Sequence, residues 1–218
     1  MPTRVEWNIS PEKLERAWRT WATAELILCE EPYLRTYAFD VDWADGQRMG
    51  KLDDGGGNTV FVFFTPAGTV IKGFDHESEV SRHARDDGEV WPDIYAGMPE
   101  PLWKALNDPA TEPDDVTFCF WRRSTDSHWW RGFEPPSELE DGSDFLLSRL
   151  FGTVDDYAEW AEDNYERSIR AEELARMAGG EPVTPELIVR LNPERNAVVV
   201  FEELLESGLI DPVTHSLS

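Results

Sequence analysis

The strongest pattern of apolar and polar positions lies over residues 59–79. There Thr-Val-Phe-Val-Phe-Phe-Thr is followed by Pro-Ala-Gly-Thr-Val-Ile-Lys-Gly-Phe and then by Asp75-His76-Glu77-Ser78-Glu79. Pro66 suits the second position of a type I turn and Gly68 a left-handed one, which predicts a hairpin closed by a three-residue loop with a bulge. That register sets Thr65 opposite Thr69, Phe63 opposite Ile71 and Phe61 opposite Gly73. It assigns Phe61, Phe63 and Ile71 to one face and Val60, Val62, Phe64, Val70 and Phe74 to the other. Both faces are apolar apart from Lys72, so the pair belongs inside a sheet covered on both sides.

Residues 36–43 alternate Tyr37, Phe39, Val41 and Trp43 with Thr36, Ala38, Asp40 and Asp42, the pattern of a half-buried strand. A second hairpin is expected over 116–132, with Val-Thr-Phe-Cys-Phe-Trp as an apolar first strand and a polar turn at 124–127. Residues 44–58 read as a flexible connection. Their Asp53-Asp54-Gly55-Gly56-Gly57 is followed by no Gly-Lys-Ser/Thr, and the acidic pair would repel a phosphate.

Helical spacing governs both ends of the chain. Ser10, Pro11 and Glu12 open a helix that should run to about residue 30, with Leu14, Ala17, Trp18, Trp21 and Leu28 inward. A short helix fits 99–107. After a proline-rich acidic connection at 134–142 the pattern is helical throughout. One helix covers 143–151, and Thr153 caps a long one reaching Gly179-Gly180. Two more open with Thr184-Pro185-Glu186 and Asn192-Pro193-Glu194. The expectation is one α+β domain over 1–218, with a sheet-rich part at 33–133, an antiparallel sheet of about five strands flanked by helices, and an all-helical part at 143–208.

Composition sharpens this picture mainly through charge. The 218 residues carry 44 acids against 20 Lys and Arg, a formal net charge of −24. Such a surface repels nucleic-acid backbones and anionic membranes and favours a basic partner. No apolar run reaches the roughly 20 residues that a membrane helix needs, and the first residues do not read as a signal peptide. Cys29 and Cys119 stand alone in a helix and a strand, as reduced buried thiols do, which points to the cytoplasm.

Two places hold candidate chemistry. At Asp75-His76-Glu77 a carboxylate stands beside an imidazole, and His76, His83 and His128 are the candidates for metal ligation. His76 and His83 are seven residues apart, which does not match the i, i+4 spacing of paired ligands on a helix, and a structural polar corner is the plainer reading. The second place is a surface. Between residues 134 and 166 there are eleven acids and one base, Arg149. On the long helix Asp155, Glu159 and Asp163, and Glu162 with Glu166, stand at like-charge i, i+4 spacing, each pair costing a few tenths of a kcal/mol. A solvated acidic face is the alternative to a docking face.

The segments Gly73-Phe74-Asp75-His76-Glu77, Thr117-Phe118-Cys119-Phe120-Trp121-Arg122 and Asp141-Gly142-Ser143-Asp144 resemble a family of uncharacterised bacterial proteins. That resemblance implies a bacterial origin and a single domain type, and carries no catalytic residues across. In size, acidity and α+β character the chain is also similar to the immunity proteins of bacterial toxin systems. The sequence therefore points to a non-catalytic, cytoplasmic protein that binds a basic protein through its acidic surface, with no cofactor. The alternative is a small-ligand-binding protein or a metal-dependent hydrolase built around His76.

Overall fold

A computed structural model of the protein describes residues 1–136 and 138–211. Ser137 of the 134–142 connection, the side chain of Arg149 and the last residues of the expected 1–218 domain lie outside the described residues.

The fold is α+β, with seven α-helices and one antiparallel sheet of seven strands among the described residues, rather than about five strands. The strands are β1 (Thr3–Val5), β2 (Tyr37–Ala44), β3 (Gln47–Asp53), β4 (Thr59–Thr65), β5 (Gly68–Phe74), β6 (Phe118–Arg123) and β7 (Trp129–Arg131). Their order is β1-β7-β6-β5-β4-β3-β2, which puts β5 in the middle. The helices are α1 (Pro11–Leu28), α2 (Glu100–Leu106), α3 (Ser143–Phe151), α4 (Val154–Tyr165), α5 (Ala171–Ala178), α6 (Pro185–Leu191) and α7 (Ala197–Glu206).

Two strands escaped the sequence pattern, for different reasons. β1 has three residues, too few to show alternation. β3 buries Met49 into one face and Leu52 into the other, three residues apart, so its apolar positions show no period of two. Its place is secured instead by its neighbours, because Trp18 of α1 donates its indole N–H to the carbonyls of Ala38 on β2 and Lys51 on β3.

The central hairpin forms as expected but closes in two residues, with Thr65 paired to Gly68. The Thr65 hydroxyl accepts from the Ala67 N–H and donates to the Gly68 carbonyl, which tightens the turn without a bulge. The shift of one residue exchanges the faces of β5. Val70 joins Phe61 and Phe63 on one side, while Ile71 joins Val60, Val62 and Phe64 on the other. Phe61 therefore faces Lys72 rather than Gly73. A core lies on each side of the sheet. α1 and the helices after residue 142 cover one face, and α2 with its flanking loops covers the other.

The helical half also departs from expectation. The long helix divides, because Glu166 leaves the helical path at φ +50° and α5 begins at Ala171. The Glu162 carboxylate holds this break by accepting the Ile169 N–H at 2.8 Å. Asn192 does not open α7. It is buried, and its side-chain amide donates to the Ile27 and Leu28 carbonyls at the end of α1. Asn196 caps α7 by accepting from Val198 and Val199.

Candidate functional site

The C-terminal end of β5 is the meeting point of the three segments singled out in the sequence. Thr117 stands at their centre, its hydroxyl accepting from the Asp75 N–H and donating to the Asp141 carbonyl. Gly142 closes the corner at φ +79°, and a Cβ there would lie 2.4 Å from Asp75, so no other residue fits. The Asp141 carboxylate is buried and fully engaged. One oxygen accepts from the backbone and hydroxyl of Ser143, and the other from the Arg131 guanidinium at 2.7 Å. That guanidinium also donates to the Phe133 carbonyl and lies over the Phe120 ring.

Outside this knot a groove of about 660 Å³ is lined by Asp75, Glu77, Arg131, Asp144 and Phe145 among others. Its open carboxylates can attract a cation or an amine.

The candidate histidines are held in different ways. His76 approaches the Asn58 amide oxygen with both its backbone N–H and Nδ1, and Asn58 is held in turn by Asp54. This network ties Asp54 and Asn58, on either side of the three glycines, to His76. His76 Nε2 stands 4.0 Å from Glu77. His83 bonds Asp115 at 2.8 Å and meets the edge of Phe74. His128 precedes β7 at the opposite end of the strands from Asp75 and packs on Trp130. The three histidines are not brought together, and among the described residues no three His, Cys, Asp or Glu side chains are placed to hold a metal ion. Cys29 and Cys119 are buried and unpaired.

The acidic helix face is present on α4. Thr153 and Asp156 form a reciprocal cap, which explains one acid of the run. Asp155, Glu159, Glu162, Asp163 and Glu166 are all exposed, and α4 has no basic residue in its last turn. Glu162 has the structural role described above. Among the described residues no ion pair reaches Asp155, Glu159 or Asp163, whereas fifteen such pairs occur elsewhere.

A carboxylate and an ammonium are fully buried away from the candidate residues. Glu25 of α1 is fully buried and accepts from the Tyr157 and Tyr165 hydroxyls and from the Thr36 and Tyr37 backbone. Burial pushes its carboxyl up to about 6 against these stabilising bonds. Lys72 of β5 is also fully buried and donates to the Thr111 and Glu112 carbonyls at 2.7 and 2.6 Å. Burial lowers it to about 8. The signal for both was a lone charge within an apolar run, Ala-Glu-Leu-Ile-Leu and Val-Ile-Lys-Gly-Phe.

Comparison with protein-family models, curated proteins and solved structures found no match to this chain. Among the described residues, no helix is long and apolar enough to cross a membrane.

Proposed function

We propose that the chain is a non-catalytic protein-binding module that engages a basic protein through the exposed face of α4, in the manner of an immunity protein or antitoxin-like inhibitor. The observation that carries this reading is the run Asp155, Glu159 and Asp163, exposed, one turn apart and without a cationic partner among the described residues. Like charges at that spacing cost a few tenths of a kcal/mol each, and an acid near a helix C-terminus adds a similar cost. A basic partner converts those costs into attraction and accelerates its own encounter. The overall charge of −24 agrees with this assignment. The alternative built around His76 has Glu77 at 4.0 Å and Asn58 on Nδ1, but neither other candidate histidine beside it, since His83 bonds Asp115 and His128 packs on Trp130.

The test is binding to basic proteins over a salt series. The variant Asp155→Lys with Glu159→Lys should lose binding and the salt slope together. Unchanged affinity in that variant would remove the acidic face from the interface.

A further inference from the structure

A surface at the far end of α4 combines that acidity with uncovered apolar side chains. Tyr33 and Leu34 are 79% and 55% exposed, and Val198 and Val199 are 60% and 45% exposed. Single exposed apolar residues are ordinary on a protein surface, but these belong to elements joined at one pole. Asn192 and Arg195, in the connection leading into α7, bond the carbonyls of Leu26, Ile27 and Leu28 at the end of α1. Arg35 folds the 30–35 segment back onto Cys29 and Glu30 just beyond. Tyr165, in the last turn of α4, shares one Glu25 oxygen with the Thr36 N–H. Arg167 pairs with Glu194 at 3.2 Å and so ties the end of α4 to the start of α7.

The first turn of α7 is costly as it stands. Val198 and Val199 are β-branched, which weakens a helix, and their exposure forgoes the burial that would offset it. Farther along the same outward side, Glu202 and Glu206 stand exposed at like-charge spacing. Glu30, Glu31 and Glu166 are exposed around the patch, while Arg35, Arg167 and Arg195 are engaged with carbonyls or carboxylates.

We infer that this pole is a docking surface for a cationic amphipathic segment of a partner protein, whose apolar side chains cover Tyr33, Leu34, Val198 and Val199 while its Lys and Arg residues meet the surrounding acids. Charge complementarity selects this occupant. A second copy of the chain would bring its own excess of acids to the same place. The inference rests on the proposed protein-binding role and adds an apolar anchor to it.

The test uses a synthetic helical peptide of Leu and Lys with its leucines on one face, and a scrambled peptide of equal charge. Binding to the full chain is followed at low and high salt. Binding of the amphipathic peptide should be stronger by about tenfold or more than that of the scrambled one. Leu34→Ser with Val198→Ser and Val199→Ser, all at exposed sites, should abolish that difference while leaving the circular dichroism spectrum unchanged. If those substitutions leave the preference intact while Asp155→Lys with Glu159→Lys removes binding, the apolar anchor is overturned and the acidic-face reading stands. If the serine substitutions remove the preference and the charge reversals have no effect, the anchor stands and the α4 reading fails. Equal binding of both peptides overturns the anchor, and no binding of either overturns both.

Discussion

The phenyl ring of Phe118 fills the space directly over Gly73, its register partner across β5 and β6; a Cβ at residue 73 would stand 1.9 Å from the ring. Gly73→Ala should therefore cost about 3 kcal/mol by overpacking, and Phe118→Ala about 3–5 kcal/mol by leaving a cavity. In the double variant the alanine methyl enters the vacated space. The combined loss, measured by urea denaturation, should be smaller than the sum of the two; strict additivity would mean that the ring does not rest on the glycine.

Glu25 gives the folded protein a distinctive response to acid. Its carboxyl is raised to about 6 from an ordinary 4.5, so the folded state binds its proton more tightly than the unfolded chain. The stability it contributes is complete below about 4.5 and is lost as pH rises through 6, a change of about 2 kcal/mol. Glu25→Gln should lose this slope. The stability difference between wild type and variant should change between pH 4.5 and 6 and stay level from 6.5 to 8.

Lys72 acts in the opposite direction at the alkaline end. Its ammonium is lowered to about 8 from 10.5, so between those values the unfolded chain holds more protons and stability rises with pH. Lys72→Met keeps most of the buried stem but strands the Thr111 and Glu112 carbonyls, at a cost of about 2–3 kcal/mol at pH 7. Against this variant, the wild type should gain further stability between pH 8 and 10. A flat difference would show that the lysine titrates normally.

Thr117→Val tests whether the corner at the end of β5 is a structural knot. The exchange preserves shape but leaves the Asp75 N–H and the buried Asp141 carbonyl without their shared partner. Stability should fall by about 1–3 kcal/mol, with faster amide exchange localised to residues 75–78 and 141–144.

Asp163→Lys probes a conflict between stability and recognition on α4. A cation in the last turn removes a like-charge pair with Glu159 and complements the helix dipole, for a gain of about 0.5–1 kcal/mol in the free protein. The same change should weaken binding to a basic partner. A destabilised variant, by thermal melting at low salt, would contradict this electrostatic account.

The sequence disclosed elements that announce themselves locally. Ser10, Thr153 and Thr184 cap α1, α4 and α6 as their spacing indicates, and the apolar runs of β4, β5 and β6 lie in the middle of the sheet. It concealed what depends on distant neighbours. β3 becomes a strand through pairing with β2 and β4 and through Trp18, none of which its own seven residues encode. Asn192 looked like a helix cap because Asn-Pro-Glu is a good local opening, yet its amide is used 165 residues away at Ile27. At the candidate site, Asp75, His76 and Glu77 were visible as a cluster. Their connection to Thr117 and Asp141 was not, because it crosses between strands.

From β2 to β7 each strand lies beside its successor in the chain, and only β1 departs from that order by pairing with β7. The pairs β2–β3, β3–β4, β4–β5 and β6–β7 can therefore form through short loops, whereas β5 and β6 must close the long connection that carries α2, the slower step in assembling the sheet. The first strand must wait for the last, and Trp129 secures the wait by donating to the Ile9 carbonyl 120 residues earlier. On the ribosome, the N-terminal segment is made first and docked late, so the exposed edge of the nascent meander is sealed only when β7 has emerged.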